Sequence, residues 1–233
     1  GLKVMNSLVS PEREQFVSEW RRKIEKWTEK ESAVATSAIP HSGVRPVAAP
    51  SPPHLNRQIR IDDFDLREVW RYISKKSLYV LQWGIRGKGA SESDPDKLFD
   101  EWTERVIQEN LFEPRAVYGY YSCHNLSQGQ AGQGRLAVDL PDGQVIFDFP
   151  RSSREKHLCL ADYFGQDDVV AFQAVTVGNK VSELIDMWNK QDQYTDAYYL
   201  HGLAVETAEA MAEWVNDRVR SDLGIGPKRG LRY

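Results

Sequence analysis

Cysteine is nearly missing from this chain: Cys123 and Cys159 are the two in 233 residues. Two distant thiols without a C-x-x-C spacing exclude a disulfide-rich secreted scaffold and a cysteine-built zinc module. They fit buried or idle thiols in a reducing cytoplasm. Long apolar runs are missing too. No stretch approaches the ~18–20 consecutive apolar residues of a membrane span. The opening GLKVMNSLVSPEREQF meets acidic residues too early for a signal peptide. An excess of one charge is also absent, with 30 basic against 34 acidic residues and a net charge of -4. That balance leaves no electrostatic footprint for nucleic acid. The five histidines form no H-E-x-x-H or other short metal-ligating spacing, and no serine lies in a G-x-S-x-G elbow. Neither a metal site nor a catalytic residue is expected. The chain also lacks an initiator methionine, which reads as the mark of a fragment.

What is present is ordinary globular material: 41% hydrophobic, 11% aromatic and 27% charged residues. A chain of this length can bury a sizeable core. Ser10-Pro11-Glu12 is a helix-start signature, with a capping hydroxyl, a proline in the first turn and an acid facing the dipole. Phe16, Val17, Trp20, Ile24 and Trp27 follow at helical spacing, so one face of this helix is apolar and needs a partner. Residues 32–56 then collect prolines at 40, 46, 50, 52 and 53 among Ala, Ser and Val. Proline removes backbone donors and favours extended chain, so this stretch reads as a semi-rigid linker. Residues 1–31 accordingly read as the terminal helix of a preceding domain, and 57–233 as the main domain.

In the main domain, IDDFDLREVWRYISKK places Leu66, Val69, Trp70 and Ile73 on one helical face behind Asp63 or Asp65 as cap. Ser93-Asp94-Pro95 opens a second helix carrying Leu98, Phe99, Trp102, Val106 and Ile107. After Pro114 the period changes to two. RAVYGYYS reads as a strand, and RLAVDL-PDG-QVIFDF as a hairpin closed by a Pro-Asp-Gly turn. The intervening NLSQGQAGQG reads as a flexible connector. DVVAFQAVTVG has the β-branched content of a buried central strand. A short amphipathic helix, KVSELIDMWNKQ, precedes a long one over roughly 193–223. Strands grouped between helices predict an α+β fold with an antiparallel sheet.

The long helix carries Glu206, Glu209 and Glu213 at steps of three and four, hence along one side. Such a row is ordinarily a solvated face. It acquires a chemical meaning if a cationic ligand and an anion-binding group lie nearby, and Arg232 near the chain end is a candidate for the latter.

Five co-linear stretches, "LYVLQWGIRGKG", "LCLADYF", "VVAFQAVTVG", "YLHGLAVETAEAMAEWVNDRVR" and "GIGPKRGLRY", together resemble the C-terminal reactivation domain of cobalamin-dependent methionine synthases. The resemblance spans roughly 57–233, and residues 1–27 resemble the last helix of that family's cobalamin-binding domain. It implies a curved antiparallel sheet with flanking helices. It further implies a module that binds S-adenosylmethionine and remethylates cob(II)alamin, with an electron from flavodoxin or an equivalent reductase. The cobalamin is held by the adjacent domain. In the family an Arg-x-x-x-Gly-Tyr-Pro-x-Cys-Pro segment cradles S-adenosylmethionine. Arg232 takes the arginine position and Tyr233 the next, where the chain stops, so PKRGLRY reads as half of that motif and the domain as truncated at its C-terminus. The resemblance assigns Glu209 to an acidic position beside the ligand, and puts Ser74 where some members carry an aspartate. Residues for methyl transfer to homocysteine belong to other modules. Two other classes stay open: a redox-partner docking domain that binds no S-adenosylmethionine, and an unrelated hydrolase.

Overall fold

The computed structural model describes residues 13–32, 39–85, 94–127 and 129–226. The predicted α+β class is what forms. Helix α1 (Arg13–Ser32) comes first, and strand β1 (Gln58–Ile61) opens the main region. A broken helical segment follows: α2 (Leu66–Val69), a 3₁₀ turn (Trp70–Tyr72), α3 (Lys75–Ser77) and a π-helical stretch (Leu78–Gln82). Helix α4 (Pro95–Gln108) leads into β2 (Arg115–Asn125), β3 (Gly134–Leu140) and β4 (Gly143–Phe149). Strand β5 (Asp168–Thr176) and helices α5 (Lys180–Lys190) and α6 (Tyr194–Asp222) are the last elements among the described residues. The five strands make an open antiparallel sheet in the order β1-β2-β3-β4, with β5 also paired to β2. No helix among the described residues is long and apolar enough to cross a membrane.

The chain divides into two compact units. One gathers the described residues of Gly1–Ala48, Cys123–Val138 and Gln144–Asp168; the other those of Ala49–Ser122, Asp139–Gly143 and Val169–Tyr233. In the second unit β1 lies antiparallel to the first half of β2, with Ile59 opposite Tyr118 and Ile61 opposite Ala116. Its core is built around α6, whose Leu200, Leu203, Ala204, Ala210 and Met211 bury against Val69, Trp70, Leu78, Phe99, Trp102 and Val106. A second cluster joins Val215 and Val219 to Ala116, Tyr118 and Tyr120 of β2. Phe99, Trp102, Thr103 and Val106 are the buried residues of α4, spaced as one face of a helix requires. Its start is as the sequence predicts: Asp94 accepts from the Asp96 amide at 3.0 Å, with proline in the first turn.

In the first unit the second half of β2 pairs with β3, Cys123 opposite Val138 and Asn125 opposite Leu136. Both cysteines are buried. The chain from Ile39 to Ala48 has neither helix nor strand, yet Gly132 donates its amide to the Ile39 carbonyl at 2.9 Å. Asp162, 2% exposed, forms a two-pronged ion pair with the buried Arg151, whose Nη2 donates to Oδ1 at 2.8 Å. The Ser42 hydroxyl donates to Asp162 at 2.5 Å, and His41 Nε2 lies 3.2 Å from the same carboxylate.

Three local expectations change. The helix predicted across 61–76 breaks at Ile73, which is extended (φ -61°, ψ 132°), and Ser74 caps a new turn by accepting from the Ser77 amide at 3.3 Å. The connector after β2 is tied down: Asn125 donates to the carbonyls of Ala161 (2.7 Å) and Phe164 (3.1 Å), and its own oxygen accepts from Ser127. Strand β5 is not a buried central strand, since none of its residues is fully buried and Phe172, Gln173 and Ala174 are exposed. Its β-branched run marks pairing and one covered face, where Val169, Ala171 and Val175 meet the second cluster.

Candidate functional site

Between the segment broken at Ile73 and helix α6 lies a groove of about 1340 Å³ in the second unit. Tyr72, Ser74, Lys75, Lys76, Ser77, Val80 and Leu81 line it from the broken segment. Glu206, Glu209, Ala210, Ala212, Glu213 and Asp217 line it from α6. The two walls are held in register by specific contacts. Trp70 donates its indole N–H to Thr207 at 3.0 Å, and Trp83 donates to the Tyr199 carbonyl at 3.0 Å. Gly202 permits the close approach: a Cβ there would sit 2.7 Å from Trp83 Cδ1 and 3.0 Å from Gln82 Cβ. A side chain at 202 would therefore push the π-helical stretch off α6.

Four carboxylates face two lysines across this groove, and one of those lysines is committed elsewhere. Lys75 is paired with Asp96 at 2.5 Å, which also accepts from the Tyr79 hydroxyl at 2.7 Å. The Lys75 and Tyr79 hydrogen bonds hold Asp96 below its ordinary value, while burial and the hydrogen bond to Asp96 push the Tyr79 phenol well up. Tyr72 donates to Asp217 at 3.2 Å, and burial together with that carboxylate raises its phenol. Glu206 is 1% exposed and accepts on Oε1 from Ser77 at 2.6 Å and from Gln82 at 3.4 Å. The result is a groove with an excess of negative charge beside an apolar strip of Val80, Leu81 and Ala210. Chemically, it suits a ligand carrying a cation and a flat apolar part.

The row Glu206, Glu209, Glu213 is gathered on one wall, as helical spacing demands. Its members differ in surroundings: Glu206 is buried, Glu213 half-buried and Glu209 exposed. Ser74 also lies on the groove, where its hydroxyl serves as a helix cap. Arg232 and Tyr233 lie outside the described residues. Tyr72, Ser77 and Asp217 had no signal of their own in the sequence. Ser77 and Glu206 are 129 positions apart, and nothing in either local pattern announces the other.

Residues 65–229 match the protein family described as "Vitamin B12 dependent methionine synthase, activation domain". Among curated proteins, the methionine synthases of Mycobacterium tuberculosis and Mycobacterium leprae are each 28% identical over 206 residues, covering 79% of this chain and 17% of the relative. The chain therefore spans about a sixth of the length of these relatives. Among solved structures, the crystal structure of the MetH reactivation domain bound to AdoHcy aligns with a TM-score of 0.63 at 20% identity. That alignment covers 79% of this chain and 62% of the other.

Proposed function

Because the chain belongs to the family of the vitamin B12 dependent methionine synthase activation domain, we propose that its acidic groove binds S-adenosylmethionine in the reactivation of a cobalamin-dependent methionine synthase. The observation that carries this reading is the groove itself: an excess of carboxylates beside an apolar strip, in a fold whose solved counterpart carries AdoHcy. S-adenosylmethionine has a sulfonium, an ammonium, a carboxylate and an adenine, and a site must satisfy all four. Glu209 is assigned to the ammonium at the open edge. The apolar strip of Val80, Leu81 and Ala210 is assigned to the adenine. Arg232, with its planar fork, is assigned to the ligand carboxylate, and Tyr233 to the same segment.

What S-adenosylmethionine supplies when bound is a methyl group on a positively charged sulfur. This chain's own task is to hold and orient that ligand toward an adjacent domain carrying the cobalamin. Flavodoxin or an equivalent reductase is the proposed electron donor, and the cytoplasm the proposed compartment. The overall activity proposed for the protein is methyl transfer from 5-methyltetrahydrofolate to homocysteine, with this chain's region noncatalytic by itself. Residues 1–31 are proposed as the last helix of the cobalamin-binding domain, 32–56 as the tether and 57–233 as the ligand-binding domain.

Calorimetric titration with S-adenosylmethionine and S-adenosylhomocysteine, carried to millimolar ligand, tests the reading. Saturable binding is expected for both. Arg232→Ala and Glu209→Gln should each weaken both ligands by about tenfold, the size of one charge-assisted contact. Absence of binding, or binding indifferent to both substitutions, overturns it. Flavodoxin binding without any S-adenosylmethionine binding would instead favour a docking module.

A further inference from the structure

We infer that Glu206 is the specificity residue of this groove, the one that separates a sulfonium ligand from its neutral thioether counterpart. The inference rests on the reading of the groove given above and adds to it a role for a residue buried in the wall. Glu206 is 1% exposed, yet it lines the groove. Both of its hydrogen bonds end on Oε1, from the Ser77 hydroxyl at 2.6 Å and the Gln82 amide at 3.4 Å. Oε2 accepts none among the described residues. No fully buried polar side-chain atom there is left without a partner, so Oε2 keeps some accessible surface, and the surface that Glu206 lines is the groove.

A carboxylate with so little accessible surface is poorly hydrated, and a positive charge brought against its open oxygen stabilises it. Here two neutral donors serve one oxygen. No lysine or arginine pairs with Glu206 among the described residues, since Lys75 is engaged by Asp96 and Lys76 is exposed. Glu209 and Glu213 add negative charge along the same helix. The missing partner of Oε2 is therefore a cation brought by the ligand. Its place deep in the wall suits a charge within the ligand better than a terminal ammonium, which can reach the exposed Glu209. In S-adenosylmethionine that internal charge is the sulfonium. In S-adenosylhomocysteine the same sulfur is neutral, and the two molecules differ there by one methyl group and one charge.

The consequence is a division of labour between two carboxylates on one helix. Glu209 contacts what the two ligands share, and Glu206 contacts what distinguishes them. Glu206→Gln keeps the size of the side chain and an oxygen for Ser77 while removing the charge. Titrating the wild-type chain, Glu206→Gln and Glu209→Gln with each ligand reads the outcome as a ratio of dissociation constants. Glu206→Gln should weaken S-adenosylmethionine about tenfold or more and change S-adenosylhomocysteine by less than about twofold. Glu209→Gln should leave the ratio unchanged. If Glu206→Gln fails to fold, Glu206→Met, which needs no hydrogen-bond partner, replaces it with the same expected ratio. Equal weakening of both ligands, or no change in either, overturns the role of Glu206 and leaves the groove reading intact. Failure of the wild-type chain to bind either ligand overturns the groove reading, and this inference with it.

Discussion

Gly202 shows how a single position decides whether the groove exists. Glycine in the middle of a helix costs about 1 kcal/mol relative to alanine through backbone entropy. Its retention here is explained by contact, because an added Cβ would stand 2.7 Å from the Trp83 ring and 3.0 Å from Gln82. Gly202→Ala should therefore destabilise the protein by about 1–3 kcal/mol, the usual cost of overpacking, despite the gain in helix propensity. Denaturant unfolding followed by tryptophan fluorescence measures it. The same substitution should weaken S-adenosylmethionine, since Gln82 and Ser77 would move away from Glu206. A neutral or stabilising Gly202→Ala would mean that Trp83 yields without cost and that the packing argument is wrong.

Among the elements, the stretch from Ile39 to Ala48 draws its order from a buried ion pair. Its Ser42 and His41 reach Asp162, which Arg151 also holds. Burial alone would raise the Asp162 carboxyl. The hydrogen bonds from Arg151 and Ser42 and the Arg151 charge outweigh it and set it below the ordinary aspartate value of 3.8. A group whose folded value is depressed stabilises in full above its unfolded value and loses that contribution as pH falls through the folded one. Thermal stability should therefore be flat with respect to Asp162 above about pH 4 and fall below it. Asp162→Asn strands a buried guanidinium and should cost about 3–5 kcal/mol at neutral pH. It should also remove the Asp162 share of the acid dependence. Melting curves of both proteins from neutral pH downward, with parallel pH profiles and equal stability at pH 7, would refute this account.

At the scale of the whole molecule, the proposed domain boundaries make a prediction about truncation. Phe16 and Trp20 lie 6.2 Å apart on α1, and Trp20 is 42% exposed. Trp20 is exposed while Phe16 and Val17 are half-buried, in keeping with the proposal that α1 ends a preceding domain. A chain beginning at residue 39 should thus unfold within about 0.5 kcal/mol of the parent, as for changes away from the core. One beginning at residue 57 removes His41 and Ser42 from Asp162 and should be less stable than the first. If the loss came instead on removing residues 1–38, the helix would be integral and the proposed boundary would fall.

The α+β class, the N-terminal cap of α4, the hairpin at Pro141-Asp142-Gly143 and the family could all be read from the sequence by itself. These are local properties, set by hydrophobic period, by capping residues within a few positions, and by turn residues that favour particular backbone angles. The acidic row on α6 was legible for the same reason, since helical geometry alone puts positions 206, 209 and 213 on one side. Tertiary structure alone decided which member is buried, because Ser77 and Gln82 must come from more than a hundred residues away to receive it. It also decided that the helix predicted over 61–76 breaks at Ile73. Propensity favours continuation there, but the Ser74 cap and the packing of Trp70 and Trp83 against α6 outweigh it. The open side of β5 and the order imposed on Ile39–Ala48 have the same origin. Each depends on a partner distant in sequence, and a pattern of near neighbours carries no record of it.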